Sequence, residues 1–341
     1  MAKKYNVAVV GATGAVGRVF LTMLEERSFP VGKLKLLASK RSEGKHISVL
    51  GQQVEVHETT ASSFDDIDFA FISVSADISR QFAPIAVQRG ALVIDDSSAF
   101  RMLPNVPLVV PEINGSDVEW HEGIISIPNC STIQMVMVLY PLHKVNPVKR
   151  VVVDTFQAVS GAGAAATIEL TQQTADWYEE KPIKHEAFSE QIAFNVLPFI
   201  GEILPSGYTE EEEKMIFETQ KILHDKSVSV SATCVRVPVH SAHSEAIHIE
   251  MENPMNLPAV RQILSDAPGV QILDEYKDGS YKLPTPLKIE GTDEVYVGRI
   301  RRDSSVPNGI VMWTVADNLR KGAALNAIQI AEEVIRRDCI D

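Results

Sequence analysis

Asn129-Cys130-Ser131 places a thiol between the strand-like run Gly123–Pro128 and the apolar stretch Ile133–Leu142, which reads as a helix. At the mouth of a helix a thiol's pKa, ordinarily about 8.5, falls because the helix N-terminus stabilises the thiolate. The competing reading is a small buried hydrophobe, the commoner fate of a free cysteine. A second cluster, Gly11-Ala12-Thr13-Gly14-Ala15-Val16-Gly17, lies between a first strand and a first helix. Glycines there permit a tight turn and let backbone N–H groups approach a pyrophosphate at the helix start. A ligand-free strand-to-helix turn is the plainer alternative. The third cluster, Ser39-Lys40-Arg41-Ser42, ends the second strand, with no carboxylate before Glu43. An NAD-binding fold usually sets an acidic residue there for the ribose 2′-hydroxyl. Two cations and two hydroxyls instead suit a 2′-phosphate, which arginine grips in a charge-assisted fork.

These groups need a scaffold, and the chain can supply one. It has 341 residues, 45% hydrophobic and 23% charged, enough for about two domains with their own cores. A net charge of −13 argues against nucleic acid or an anionic membrane as the partner, while leaving room for a small anionic substrate. No apolar run reaches the roughly 18 residues that span a bilayer. Cys130, Cys234 and Cys339 are too few and too scattered for a disulfide framework or a zinc site, so no metal is expected and the reducing cytoplasm is the expected compartment. Cys234 within a strand and Cys339 at the terminus read as structural.

Tyr5–Val10, Leu34–Ala38, Ile67–Val74, Ala91–Asp95, Leu108–Val110 and Ile124–Ile127 read as strands, with Arg18–Glu26 helical between the first two. Several are continuous apolar runs, as expected of a parallel sheet covered on both faces. From about Lys149 alternating runs appear at Val151–Ala158, Val228–Val239 and Ala246–Met251, separated by helical Ile168–Tyr178, Glu210–His224 and Leu257–Asp266. That pattern predicts a second α+β domain with a larger, partly antiparallel sheet. Asp317–Arg337 reads as a helix returning to the first domain. The expected division is 1–128 plus 317–341 for nucleotide binding and 129–316 for catalysis.

The motifs VVGATGAVG at 9–17, SSAFR at 97–101, IPNCST at 127–132, QAVSGAG at 157–163, FNVLPFIG at 194–201 and RVPVHSAHSEA at 236–246 resemble those of the aspartate-β-semialdehyde dehydrogenases across essentially the whole chain. SGAG and PVHSAHSEA look most like the bacterial branch that includes Gram-positive enzymes. The resemblance implies a Rossmann-type NADP-binding domain and an α+β catalytic and dimerisation domain with a large mixed sheet. It implies a homodimer that reduces L-aspartyl 4-phosphate to aspartate semialdehyde with NADPH, releasing phosphate, on the route to lysine, threonine, methionine and isoleucine. By motif, Cys130 is then the nucleophile and His243 the acid/base. Arg236 and Glu211 hold the amino-acid end of the substrate, and Arg101 and Lys214 its phosphate.

The residues themselves support this to different degrees. A thiolate can displace phosphate to form a thioester, which accepts hydride and collapses to an aldehyde. The Cys130 N–H and the Asn129 amide are oxyanion donors at the helix start. Gln157, directly after the strand VVVDTF, can orient the acyl carbonyl, and Ser160-Gly161 behind it admit the nicotinamide ring. Asn318 is placed near the cofactor amide. An imidazole titrating near neutrality can take the thiol proton, but His240 rivals His243, and only the family's Arg-to-His interval selects the latter. Arg236 sits in an apolar strand and needs a substrate carboxylate or an internal partner. Arg101 follows Asp95-Asp96 at a strand end, where ligands bind in open α/β sheets, yet those aspartates also offer it a partner. Thr209 and Glu212 have capping-box spacing, which explains the acidic run Glu210–Glu213 without any ligand and leaves the register of Glu211 and Lys214 open by one residue. N-acetyl-γ-glutamyl-phosphate reductase, which shares fold logic and thioester chemistry, and a catalytically silent nucleotide-binding paralogue are the alternatives. The Ser39–Ser42 loop predicts a preference for NADPH over NADH; catalytic efficiency with NADH equal to or above that with NADPH overturns it.

Overall fold

The computed structural model describes residues 3–340. They fall into two compact units, Met1–Asn129 with Ala323–Asp341, and Cys130–Gly322. In the first unit the chain runs β1 (Tyr5–Val10), α1 (Ala15–Glu26), β2 (Val31–Ala38), β3 (His46–Val49), β4 (Gln52–Glu58), β5 (Phe69–Ile72), α2 (Ala76–Gln88), β6 (Leu92–Asp95), α3 (Pro111–Asn114) and β7 (Ile124–Ser126). The seven strands are ordered β3-β4-β2-β1-β5-β6-β7, and all neighbours are parallel except the β3–β4 hairpin. Every residue of β5 and β6 is buried, as continuous apolar runs covered on both faces require.

Two departures from the sequence reading have local causes. The β3–β4 hairpin is polar and half-exposed (HISV, QQVEVHE), so it carries little apolar periodicity to reveal it. Leu108–Val110 is buried but forms only an isolated bridge from Leu108 to Ser126. Pro107 and Pro111 flank it and deny the ladder two N–H donors.

The second unit contains α4 (Cys130–Val145), β8 (Val148–Gln157), α5 (Ala164–Tyr178), α6 (Glu210–Ile222), β9 (Ser229–Arg236), β10 (His243–Met251), α7 (Leu257–Ser265), β11 (Val270–Ile272), β12 (Glu275–Lys277), β13 (Ser280–Lys282), α8 (Pro286–Ile289), β14 (Val295–Asp303) and β15 (Gly309–Ala316). Its main sheet has six strands, one fewer than the first, in the order β11-β14-β15-β10-β8-β9. The five strands from β14 to β9 are 8–10 residues long. Pairing is antiparallel for β14–β15, β15–β10 and β10–β8, and parallel for β8–β9 and β11–β14. Val151, Val153, Thr155 and Gln157 of β8 are buried while Phe156 is exposed, so one face is covered and packs on α4.

The C-terminal segment is not one helix from Asp317. A π-helical turn, Arg320–Ala324, precedes α9 (Leu325–Arg336). Asp317 accounts for the delay: its Oδ1 accepts the N–H groups of Leu319 and Arg320 at 2.8 and 3.2 Å, closing a turn of its own.

The capping box at the start of α6 is complete. Thr209 Oγ1 accepts the Glu212 N–H at 3.3 Å and Glu212 Oε2 accepts the Thr209 N–H at 2.7 Å. Glu212 Oε1 also accepts the Cys234 N–H at 2.9 Å, tying α6 to β9. Thr209→Ala is expected to cost about 1 kcal/mol, read as a lowered urea midpoint at unchanged slope.

Candidate active site

Sheet register in the second unit sets Gln157, Arg236 and His243 in one row. Gln157 is paired with Arg236 across β8 and β9. His243, one step beyond the Ser244–Phe156 pair, comes level with Gln157 from β10. Paired residues share a face, and all three are buried, at 1%, 6% and 1% exposure for Gln157, Arg236 and His243. His243 is therefore the first residue of a strand paired on both sides. The reversal before it is made by Ala242, whose φ of +66° is left-handed.

The turn after β8 locks two of these side chains. The Ala158 carbonyl accepts Arg236 Nη1 at 2.8 Å, and the Ala158 N–H donates to His243 Nδ1 at 3.0 Å. A neutral ring accepting at Nδ1 carries its proton on Nε2. That nitrogen is buried and has no hydrogen-bond partner among the described residues. Burial, reinforced by the Arg236 charge and opposed by Glu211, pushes His243 down from 6.5 to about 3. The ring is thus a neutral N–H donor at physiological pH, which corrects the expectation of an imidazole titrating near neutrality.

Cys130 begins α4 and is half-buried. A thiolate there lies near enough to Arg236 to favour its positive charge, although burial dominates and lowers the guanidinium pKa overall. Arg236 and the helix start both reward ionisation of Cys130. Cys234 is the opposite case: burial, with carboxylates nearby, pushes its pKa far up and keeps it an unreactive thiol.

The structure brings Glu211, not Glu210 or Glu212, to this row. Its Oε1 accepts Gln157 Nε2 at 3.2 Å and its Oε2 meets Lys214 Nζ at 3.1 Å. Glu212 is occupied by the cap and by Cys234, and Glu213 by Ser206. Ser160 and Asn318 are both buried, and Asn318 Oδ1 accepts Ser160 Oγ at 3.0 Å and the Ala242 N–H at 3.1 Å. Asn318 thereby clamps the Ser160 turn to the residue before His243.

Two glycines border these candidate groups. A Cβ on Gly161 would stand 3.0 Å from Arg236 Nη1 and 3.1 Å from His243 Nε2. A Cβ on Gly322 would stand 2.8 Å from Cys130 Cβ. Gly322 escaped the sequence reading, where its one signal was a glycine inside an otherwise helical stretch. Its place in a π-helical turn is a further mark of a functional segment.

In the first unit, Gly11 turns the chain at φ +90°, and a Cβ there would fall 2.2 Å from the Ser73 carbonyl oxygen. A Cβ on Gly17 would fall 2.3 Å from the Gly11 oxygen. The Gly14 N–H donates to the Gly11 carbonyl at 2.9 Å, closing the turn. No side chain caps α1 and its first turn holds no acid, so the N–H groups of Ala15 and Val16 suit an anion. Thr13 is half-buried in this turn. Ser39, Lys40 and Arg41 are exposed beyond β2, whereas Ser42 turns inward and is buried. Arg101 is buried, its Nη2 donating to the Asp96 carbonyl at 2.8 Å, and Asn129 is buried at the end of the unit. Burial raises Asp96 to about 6 against the pull of Arg101. Among the described residues there is no group of three or more His, Cys, Asp or Glu arranged to hold a metal, and no helix is long and apolar enough to cross a membrane.

Residues 6–121 match the family model of the semialdehyde dehydrogenase NAD binding domain, and 139–321 that of the semialdehyde dehydrogenase dimerisation domain. The aspartate-semialdehyde dehydrogenase of Aquifex aeolicus is 51% identical, covering 98% of this chain and 99% of the relative. This chain belongs to the aspartate-semialdehyde dehydrogenase family. The Bacillus subtilis enzyme of that name is 46% identical, with 98% of each chain covered. The crystal structure of aspartate semialdehyde dehydrogenase II from Vibrio cholerae, complexed with ASA, superposes with a TM-score of 0.94 at 44% identity, over 98% of this chain and 99% of that one. The Candida albicans aspartate semialdehyde dehydrogenase, solved with NADP, gives 0.75 at 26% identity, over 98% and 99% of the two chains. Membership of this family sets aside the N-acetyl-γ-glutamyl-phosphate reductase reading.

Gly161→Ala and Gly322→Ala are expected to lower kcat/KM by about tenfold to a hundredfold, since sub-ångström displacement of reacting groups is that costly. His243 also shapes acid stability. Its folded pKa lies below its unfolded value, so the unfolded chain takes the proton first. Stability present above pH 6.5 is then lost progressively as pH falls toward 3. Urea midpoints of His243→Asn measured across that window should fall less steeply than those of the wild type.

Proposed function

We propose that this chain reduces L-aspartyl 4-phosphate to L-aspartate 4-semialdehyde and phosphate through an acyl thioester on Cys130. The observation that supports the mechanism best is the single buried row of Gln157, Arg236 and His243, with the helix-start thiol held near the Arg236 charge.

The Cys130 thiolate, favoured by Arg236 and the α4 N-terminus, attacks the acyl carbon. Its C–O bond to phosphate breaks and phosphate departs with the electron pair, leaving the thioester. The uncapped start of α1, the Gly11–Gly17 turn and the exposed Ser39 and Arg41 suit a dinucleotide with a 2′-phosphate, held by Gly11, Thr13, Gly14, Ala15 and Val16. NADPH supplies the hydride when bound there. Negative charge on the tetrahedral oxygen is met by His243 Nε2–H, which holds its proton at the acyl oxygen, and by the backbone N–H at the start of α4. Expulsion of sulfur then breaks the C–S bond, frees the aldehyde and restores the thiolate.

Gln157 orients the acyl group. Arg236 takes the substrate carboxylate by a guanidinium fork and Glu211 its ammonium, while Lys214 and Arg101 are the cations assigned to phosphate. Asn129 adds a polar amide beside the nucleophile, and Ser160, Gly161 and Asn318 shape the space for the nicotinamide. The dimerisation domain makes a homodimer the expected assembly, and we place the enzyme in the cytoplasm, where a reduced thiol persists.

Phosphate-dependent reduction of NADP by aspartate semialdehyde tests the reading. Cys130→Ala should abolish it, and Cys130→Ser should retain less than about one part in a thousand. Full activity in Cys130→Ala overturns the thioester. Arg236→Leu should lose kcat/KM by about a thousandfold, since a fork to the substrate carboxylate disappears with it.

A further inference from the structure

Two residues along the strands from the catalytic row lies a second polar row on the same buried face. Thr314 of β15 is paired with Glu245 of β10, Glu245 with Thr155 of β8, and Thr155 with Cys234 of β9. All four are fully buried, at 0% exposure. Since side chains alternate, Glu245 shares its face with His243, as Thr155 does with Gln157 and Cys234 with Arg236.

This row is tied to the helix of the nucleophile. Gln134, 2% exposed, stands one helical turn after Cys130 on the same face of α4. Its Nε2 donates to Thr314 Oγ1 at 2.8 Å, and Thr314 Oγ1 donates to Glu245 Oε2 at 3.4 Å. The amide holds two protons and the hydroxyl passes on one, so the chain of donors runs from the helix to the carboxyl group. Glu245 Oε1 has no hydrogen-bond partner among the described residues. Among the described residues no cation is paired with Glu245, and the titratable groups that act on Cys234 in this row are Glu211, Glu212 and Glu245 itself. Burial therefore drives the carboxyl pKa well up, which favours the neutral acid. A buried carboxyl group that gains so little for itself is costly, and its one bonded neighbour leads to α4.

We propose that Glu245 is a positioning residue: through Thr314 and Gln134 it fixes the helix that presents Cys130 against the strand that presents His243. The inference rests on Cys130 as the nucleophile. A neutral acid and an amide have the same shape and both accept at one oxygen, so Glu245→Gln should preserve the link, whereas Glu245→Leu and Thr314→Val should break it.

The test combines steady-state kinetics with the pH profile of Cys130 alkylation by iodoacetamide. Glu245→Leu and Thr314→Val are expected to lower kcat about tenfold with KM changed less than about twofold, and to raise the alkylation midpoint by about half a pH unit as the thiolate loses its alignment with Arg236. Glu245→Gln is expected to keep both at wild-type values. Equal losses in Glu245→Gln and Glu245→Leu overturn the proposal, because they assign the effect to ionised carboxylate. Wild-type kcat and alkylation profiles in Thr314→Val overturn it as well. Should Glu245→Leu fail to fold, Thr314→Val with Glu245→Gln decides the matter, since each keeps the side-chain volume. Activity surviving in Cys130→Ala would refute the underlying mechanism separately.

Discussion

Register in a mixed sheet is the constraint on which the proposed catalytic arrangement rests. Gln157, Arg236 and His243 come from three strands of differing direction, and meet because β8 pairs parallel with β9 and antiparallel with β10. A slip of one residue in any strand would turn its functional side chain to the opposite face. Burial enforces the register: Val151, Val153, Ile247 and Ile249 occupy the same face further along and would all be exposed by a slip. Apolar packing in one half of each strand thus holds polar chemistry in the other half.

Backbone groups then refine what register places. Ala158 contributes no side-chain chemistry, yet its carbonyl orients Arg236 and its N–H fixes the His243 tautomer. The same contact that aims the imidazole also denies it use of Nδ1. Electrostatics follow from this enclosure. An imidazole sealed beside a guanidinium gains nothing from a second positive charge, while a thiol at a helix start gains from becoming negative. In the proposed mechanism the two roles are separated by environment: anion on sulfur, proton on nitrogen.

Much of this was legible in the residues. The thiol before an apolar helix, the glycine turn after the first strand and the basic loop after the second each carried a local physical signal. The capping box at Thr209 and Glu212 was equally readable, and the structure adds that Glu212 is spent on it, leaving Glu211 to face Gln157. What stayed hidden depended on contacts distant in sequence. The polar β3–β4 hairpin lacked periodicity, Gly322 gained meaning only by lying against a residue far earlier in the chain, and the depressed pKa of His243 needed its enclosure. Choosing between His240 and His243 likewise needed the strand that begins at His243.

Gly161 and Gly322 define the site by what they lack. Neither leaves room for even a methyl group, the first against Arg236 and His243 and the second against Cys130. Evolution usually drifts by exchanging residues of similar size, and glycine has no smaller substitute and only larger neighbours. Both positions are therefore dead ends for gradual change. A lineage that acquires a bulkier residue at either one must rebuild the surrounding loop in the same step or abandon the chemistry.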